Sequence, residues 1–161
     1  MSAHGVVRAA RFARSGTTAL LRLFSIDSGG KEKLVATSPP LPVAAASTLC
    51  RLFDQPFESR PDIQLLNTVF NKPGNTAWAS VTAGSAHEAA LQAARRHDTQ
   101  RAKGALIIIW LSAESGIVGS IRAALNVVHA EAADIAAKMF IATYDESLSD
   151  QVRVSILLTG M

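Results

Sequence analysis

The stretch Ala137–Met161, AKMFIATYDESLSDQVRVSILLTGM, decides the fold. Val152, Val154, Ile156 and Leu158 alternate with Arg153, Ser155 and Thr159. Successive side chains of a strand point to opposite faces, so this spacing predicts a strand over Gln151–Thr159 with one apolar face. Ala137–Tyr144 predicts a second apolar strand. Tyr144-Asp145-Glu146-Ser147-Leu148-Ser149-Asp150, between them, has turn chemistry. The alternation predicts a half-buried hairpin.

Upstream, Ala105–Leu111 is a continuous apolar run, which predicts a central strand covered on both faces. Ile117, Ile121, Leu125 and Val128 recur at three- to four-residue steps, predicting a helix over Ser115–Ala133. Ser85–Arg96 predicts another: Ser85 can cap it, and Glu88 three residues on completes a capping-box pattern. Arg95, Arg96 and His97 then lie at its C-terminal end, where the macrodipole favours cations. Thr76–Thr82 predicts a strand carrying Trp78. Gln64–Lys72 predicts a helix stopped by Pro73-Gly74. Val43–Phe57 suits a short helix whose stripe is Ala44, Ala45, Leu49, Leu52 and Phe53. This order predicts an α/β fold, a two-layer sandwich in which a small mixed four-stranded sheet carries helices packed on a face.

The sequence divides at residue 42 into a basic N-terminal arm with a Pro/Gly linker (1–42) and a domain (43–161). Ser25–Pro42 contains Gly29-Gly30 and Ser38-Pro39-Pro40-Leu41-Pro42, which disfavour continuous helix or strand. Three readings fit residues 1–24, which bear Arg and lack acids: a poorly ordered basic arm, a short helix touching an anionic membrane or partner, or an organelle transit segment if the source is eukaryotic. Net charge over residues 1–33 is +4, whereas the whole chain carries +3. The remainder is therefore close to neutral, which argues against a domain-wide nucleic-acid surface. The single Cys50 cannot form an internal disulfide, which fits a reduced cytoplasmic setting. No apolar run approaches the roughly 20 residues that span a bilayer.

The order and spacing of these elements resemble the C-terminal domain of the FtsZ family, the bacterial tubulin relatives. The family's acidic turn, D-[DE]-S/E-L-G-D, and following strand, E-V-R-V-T-V-I-A-T-G, are similar to Asp145–Asp150 and Gln151–Gly160. Its A-[RK]-G-V-L-[IV]-N-I strand is similar to Arg101-Ala102-Lys103-Gly104-Ala105-Leu106-Ile107-Ile108-Ile109. Ser85–Arg96 takes the place of an Ala- and Glu-rich helix. The resemblance covers residues 60–161.

The resemblance implies an FtsZ-like fold and partners of the same kind, FtsZ or FtsZ-like protomers, at a cytoplasmic division site. Family members cradle GTP with a Gly-rich turn, G-G-G-T-G-[ST]-G, because only Gly lets backbone N–H groups approach the phosphates closely. No such segment occurs in these 161 residues. The expectation is a non-enzymatic chain with no cofactor and no metal of its own, meeting GTP only through a partner protomer. In the family a loop of the form N-x-D-F-x-D reaches into the next subunit's nucleotide site. Asn67-Thr68-Val69 matches the R-T-V that follows it, which places Arg60, Asp62, Gln64 and Leu65 on that partner-interface loop. Asp62 matches the first acid and is the candidate for catalysis in trans; Leu65 replaces the second acid and Arg60 the Asn. The residues also fit a plain helix cap at Asp62, following Pro61. The family continues into a linker and a tether-docking peptide, and this sequence stops at Met161, so tether binding of that kind is not expected from it.

Other chemistry-bearing residues form no constellation. His4, His87, His97 and His129 lack metal-ligand spacing with a Cys or carboxylate. Trp78 and Trp110 fit packing in strands. Glu114, Asp145, Glu146 and Asp150 fit a solvated acidic turn. Three functions stay open: an assembly module that docks on FtsZ-like protomers and caps or modulates filaments, an inactive fragment of a tubulin/FtsZ-family GTPase, or an unrelated small-molecule-binding α/β sandwich.

Overall fold

The computed structural model describes residues 7–53, 62–113 and 117–161. The elements are β1 (Val7–Ser15), β2 (Thr18–Ile26), β3 (Glu32–Thr37), β4 (Leu41–Pro42), α1 (Val43–Phe53), α2 (Ile63–Phe70), β5 (Ala77–Ala83), α3 (Ala86–Ala94), β6 (Gly104–Leu111), α4 (Ile117–Glu131), β7 (Ala137–Tyr144) and β8 (Val152–Thr159). They form two compact units, Met1–Lys72 and Pro73–Met161.

In the second unit a four-stranded sheet has the order β5-β8-β6-β7, with β6 and β7 parallel and the other pairings antiparallel. This is the mixed sheet that the element order predicts. Ala79, Val81, Ile107, Ile109, Val154 and Ile156 pack beneath α3 and α4 on one face. Alanines fill the facing side of α3 (Ala86, Ala89, Ala90, Ala93), and such small side chains let a helix lie close to a sheet. Ser85 caps α3 by accepting from the Glu88 N–H at 3.2 Å. The Glu88 carboxylate turns to Gln92 at 3.1 Å instead of completing the capping box.

β6 is buried on both faces, as its apolar run predicts; Leu106, Ile107 and Ile108 are fully inaccessible. The expected β7–β8 hairpin is not formed. β6 lies between those strands, pairing with β7 on one side and with β8 on the other. The connection crosses the end of β6: the Asp145 N–H donates to the Leu111 carbonyl at 2.8 Å, and the Ser112 hydroxyl donates to the Ser149 carbonyl. Alternation reports which face is apolar, but it carries no information about which strand is the neighbour. The expected half-burial of the last strand is also corrected, because Ser155 and Thr159 are as inaccessible as Val154.

The first unit departs most from expectation. Residues 7–42, expected as an arm and a linker, form four strands, with β1-β2-β3 in order and β4 also pairing with β2. β1 and β2 turn tightly through Gly16, whose φ of 62° is in the left-handed region that Gly tolerates. Ala19, Leu21, Leu23 and Ser25 are buried in strict alternation. Gly29-Gly30 belongs to a hairpin turn, not a linker: Asp27 Oδ1 accepts from the N–H groups of Gly29 (2.9 Å) and Lys31 (2.8 Å). The Ser38 hydroxyl accepts from the Leu21 N–H at 2.9 Å, tying the Pro-rich segment back to β2. Helix α1 packs on β1 and β2 through Ala45, Ala46, Leu49, Leu52 and Phe53; Ala44, expected in its stripe, is exposed.

Candidate functional site

The residues expected to act on a partner begin α2. Asp62 is its N-cap: Oδ1 accepts from the Leu65 N–H at 3.1 Å, and its carbonyl accepts from Leu66 at 2.9 Å. Ile63, Leu66, Val69 and Phe70 give the helix its apolar side, and the last three are buried. Gln64 is exposed and its carbonyl accepts from the Thr68 hydroxyl at 2.9 Å; Leu65 is half-buried. Arg60 lies outside the described residues. Asp62, Gln64 and Leu65 thus share one exposed helical turn, with the only carboxylate among them occupied in capping. Among the described residues of this turn Asp62 is the one acid, so they supply no carboxylate pair able to orient water.

A second polar cluster sits where the β7–β8 connection crosses β6. Asp145 Oδ1 accepts from the N–H (3.0 Å) and the hydroxyl (2.5 Å) of Ser147, while Oδ2 accepts from Arg153 Nη1 at 3.1 Å. Arg153 Nε donates to the Thr82 hydroxyl at 3.1 Å. The Ser147 hydroxyl, with its N–H and Arg153, holds the Asp145 carboxyl below the usual carboxylate range, against a smaller upward push from burial. A carboxylate stabilised as the anion by three donors is a structural anchor and a weak base. Next to it on the sheet, Trp110 Nε1 donates to Ser155 Oγ at 3.1 Å, and Ser155 Oγ lies 2.8 Å from Ser80 Oγ. This network of Thr82, Ser80, Trp110, Arg153 and Ser155 is not legible in the sequence, because it joins residues of three strands far apart in the chain. Its only trace was polar residues on one face of two strands.

The third feature is an open groove of about 360 Å³ between α3 and α4, lined by His87, Leu91, Asn126 and Val127 and rimmed by an Arg95–Glu131 ion pair of 3.0 Å. The other histidines are elsewhere: His97 Nε2 is 3.0 Å from the Trp78 carbonyl, and the His129 ring is 5.4 Å from that of Phe140. Among the described residues no three His, Cys, Asp or Glu side chains are placed to hold a metal ion. The Cys50 thiol, half-buried, donates to the Ala10 carbonyl at 3.2 Å.

A Gly-Gly pair can cradle a phosphate only where its N–H groups are unclaimed. The N–H groups of Gly29, Gly30 and Lys31 all turn onto Asp27, through its side chain or carbonyl. An aspartate fills the place a phosphate would take, so this turn does not fit a nucleotide. No helix among the described residues is long and apolar enough to cross a membrane.

No protein-family model and no curated protein matches the sequence. Solved structures do match. An FtsZ mutant from M. jannaschii superimposes with a TM-score of 0.60 at 24% identity, over 76% of this chain and 42% of that one. TubZ from Bacillus thuringiensis serovar israelensis, in GDP-form protofilaments, gives 0.51 at 11% identity, over 73% and 35%. CetZ2 from Haloferax volcanii, in a GTPγS-bound protofilament, gives 0.51 at 17% identity, over 71% and 37%. The likeness establishes the fold, which is that of a part of these tubulin-like proteins. The chain spans about two fifths of the length of these structures.

Proposed function

We propose that this chain is an FtsZ-like assembly module, without GTPase activity of its own, that docks on FtsZ-like protomers and modulates their filaments. The observation that carries this reading is the shared fold, since two of the matched structures are protofilaments. The sequence supports it as well, because none of the 161 residues forms the family's Gly-rich phosphate turn and Gly29-Gly30 is committed to Asp27. On this reading the exposed first turn of α2 meets the partner's nucleotide-bearing face. Asp62 lies at that contact without a second carboxylate, so the module binds a protomer and activates hydrolysis poorly. Its place of action is the cytoplasm at the division site.

The test is pelleting and GTP turnover of an FtsZ from the same organism, with and without this chain in stoichiometric amount. A dose-dependent fall in polymer mass, with the chain on the residual polymer, is the expected result. Unchanged polymer and no co-pelleting would overturn the proposal.

A further inference from the structure

A strand at the edge of a sheet offers unpaired N–H and C=O groups to another strand, and folded proteins ordinarily protect them. On three edge strands of this chain a side chain takes a main-chain carbonyl. The Cys50 thiol bonds Ala10 on β1, Asn67 Nδ2 bonds Val35 on β3 at 2.9 Å, and His97 Nε2 bonds Trp78 on β5. β7 is the exception. It is the outer strand of the β5-β8-β6-β7 sheet, and among the described residues it pairs with β6 alone. A strand turns the N–H and C=O of every second residue toward a given neighbour. The Asp145 N–H continues the parallel ladder onto the Leu111 carbonyl, so the odd-numbered residues of β7 face β6. Lys138, Phe140, Ala142 and Tyr144 therefore direct theirs outward, and no hydrogen bond from another described residue reaches those main-chain groups. All four residues are half-buried or exposed. Lysine is a usual guard of an open edge, but Lys138 Nζ is drawn back onto the Ala132 carbonyl at 3.1 Å.

From this open edge we infer that β7 pairs antiparallel with β7 of a second copy, about a two-fold axis at Ile141. The ladder selects the chemistry of the occupant, an extended strand with matching N–H and C=O groups. The side chains select a second copy. Centred on Ile141, the antiparallel register sets Phe140 opposite Ala142 and Lys138 opposite Tyr144, and it uses every outward N–H and C=O of both strands. A bulky ring then meets a small side chain. The half-buried Lys138 stem meets Tyr144, an aromatic residue 45% exposed in the single chain. No charge stands opposite a like charge. Residues 73–161 hold seven Lys and Arg against eight Asp and Glu, a net charge of −1, so two such units are not driven apart. Pairing of this kind is isologous and closes at two copies. The inference does not rest on the filament reading, which uses α2.

The experiment is sedimentation of the whole chain over a range of concentrations, joined to cysteine cross-linking. The chain should sediment as a dimer that dissociates on dilution. Ala142→Lys changes an exposed position and sets a cation diagonal to Lys138 of the second copy, so it should weaken the dimer about tenfold with an unaltered circular dichroism spectrum. Ile141→Cys should link to itself across the axis on mild oxidation, because a non-hydrogen-bonded antiparallel pair has Cα atoms about 4.5 Å apart. Met139→Cys faces Thr143 in this register and should not. Peptide mass spectrometry separates these links from any made by Cys50. Should Ile141→Cys fail to fold, the Ala142→Lys comparison carries the test alone. A monomer at every concentration would overturn the inference. So would a dimer that Ala142→Lys leaves intact, a folded Ile141→Cys dimer without the link, equal linking of Met139→Cys, or capture of another protein's strand by a chain that stays monomeric.

Discussion

Arg153 Nη1 donates a 3.1 Å hydrogen bond to Oδ2 of Asp145, joining the start of β8 to the end of β7 across the intervening strand β6. The same carboxylate takes two bonds from Ser147 on its other oxygen. Together these donors fix the one connection whose path separates this topology from a simple hairpin.

That anchor should be visible in the pH dependence of stability. The Asp145 carboxyl sits below its ordinary range in the folded state, first because of the Ser147 hydroxyl. Folding therefore favours the anion. The stabilisation is complete above the unfolded carboxylate's value near 4 and disappears as pH falls through the depressed folded value. Asp145→Asn should cost less than about 1 kcal/mol at pH 7, because ion pairs this close to solvent are weak. Its urea midpoint should fall less steeply than the parent's below pH 4. Parallel curves for the two proteins would show that Asp145 does not set the acid limb.

Ser149 follows in the same connection with φ 55° and ψ −114°, the only described non-glycine residue with positive φ. It is the first central residue of a turn closed by the Gln151 N–H on the Leu148 carbonyl at 2.9 Å, a position that Gly ordinarily holds. Strain of this kind costs about 1 kcal/mol or more. Ser149→Gly keeps the carbonyl that Ser112 binds and should raise Tm by a few degrees after the extra chain entropy of Gly is subtracted. A lower Tm would mean that the Ser side chain contributes more than its backbone costs.

Much of the second unit was legible because its signals are local. The β6 run, the α3 cap at Ser85 and the Pro73-Gly74 stop each declare themselves within a few residues. The strand order was not legible, since Thr82 and Arg153 meet across a sequence separation of 71. The first sheet was hidden for a different reason. Arg8, Arg11 and Arg14 recur every third residue on β1, and Leu20, Phe24 and Ile26 make the outer face of β2 nearly as apolar as the inner one. Both features blur the period-two pattern, so a real strand pair resembles a basic arm. At the candidate site the cap at Asp62 was readable from Pro61-Asp62, whereas the Asp145–Arg153–Thr82 cluster depends on pairings that only the fold supplies.

Gly74 makes a prediction about the second unit's chain ends. Asn75 and Met161 exchange N–H···O bonds of 3.0 Å in both directions, and a Cβ on Gly74 would lie 2.7 Å from the Met161 carbonyl oxygen. Its φ of 127° is also strained for any other residue. Gly74→Ala should therefore destabilise by more than about 1 kcal/mol, and amide exchange should accelerate first at Asn75 and Met161. Unchanged protection at both amides would show that the end can relax without losing the bridge.

Asp62 offers the sharpest division between structure and function. As a cap it is replaceable by Asn, which serves that position about as well, while Ala should cost about 1 kcal/mol. A carboxylate that orients water in a partner's site is replaceable by neither. If Asp62 acts in trans, Asp62→Asn should lower GTP turnover of an FtsZ partner at full stability and unchanged binding. If it acts only as a cap, Asn should be silent and Ala should lower the melting temperature alone. Leu65→Asp completes the argument, because it places a second carboxylate in the same turn and should raise partner turnover. Confirmed binding of Leu65→Asp with no gain in turnover would remove this helical turn from the hydrolysis site and leave Asp62 a purely structural residue.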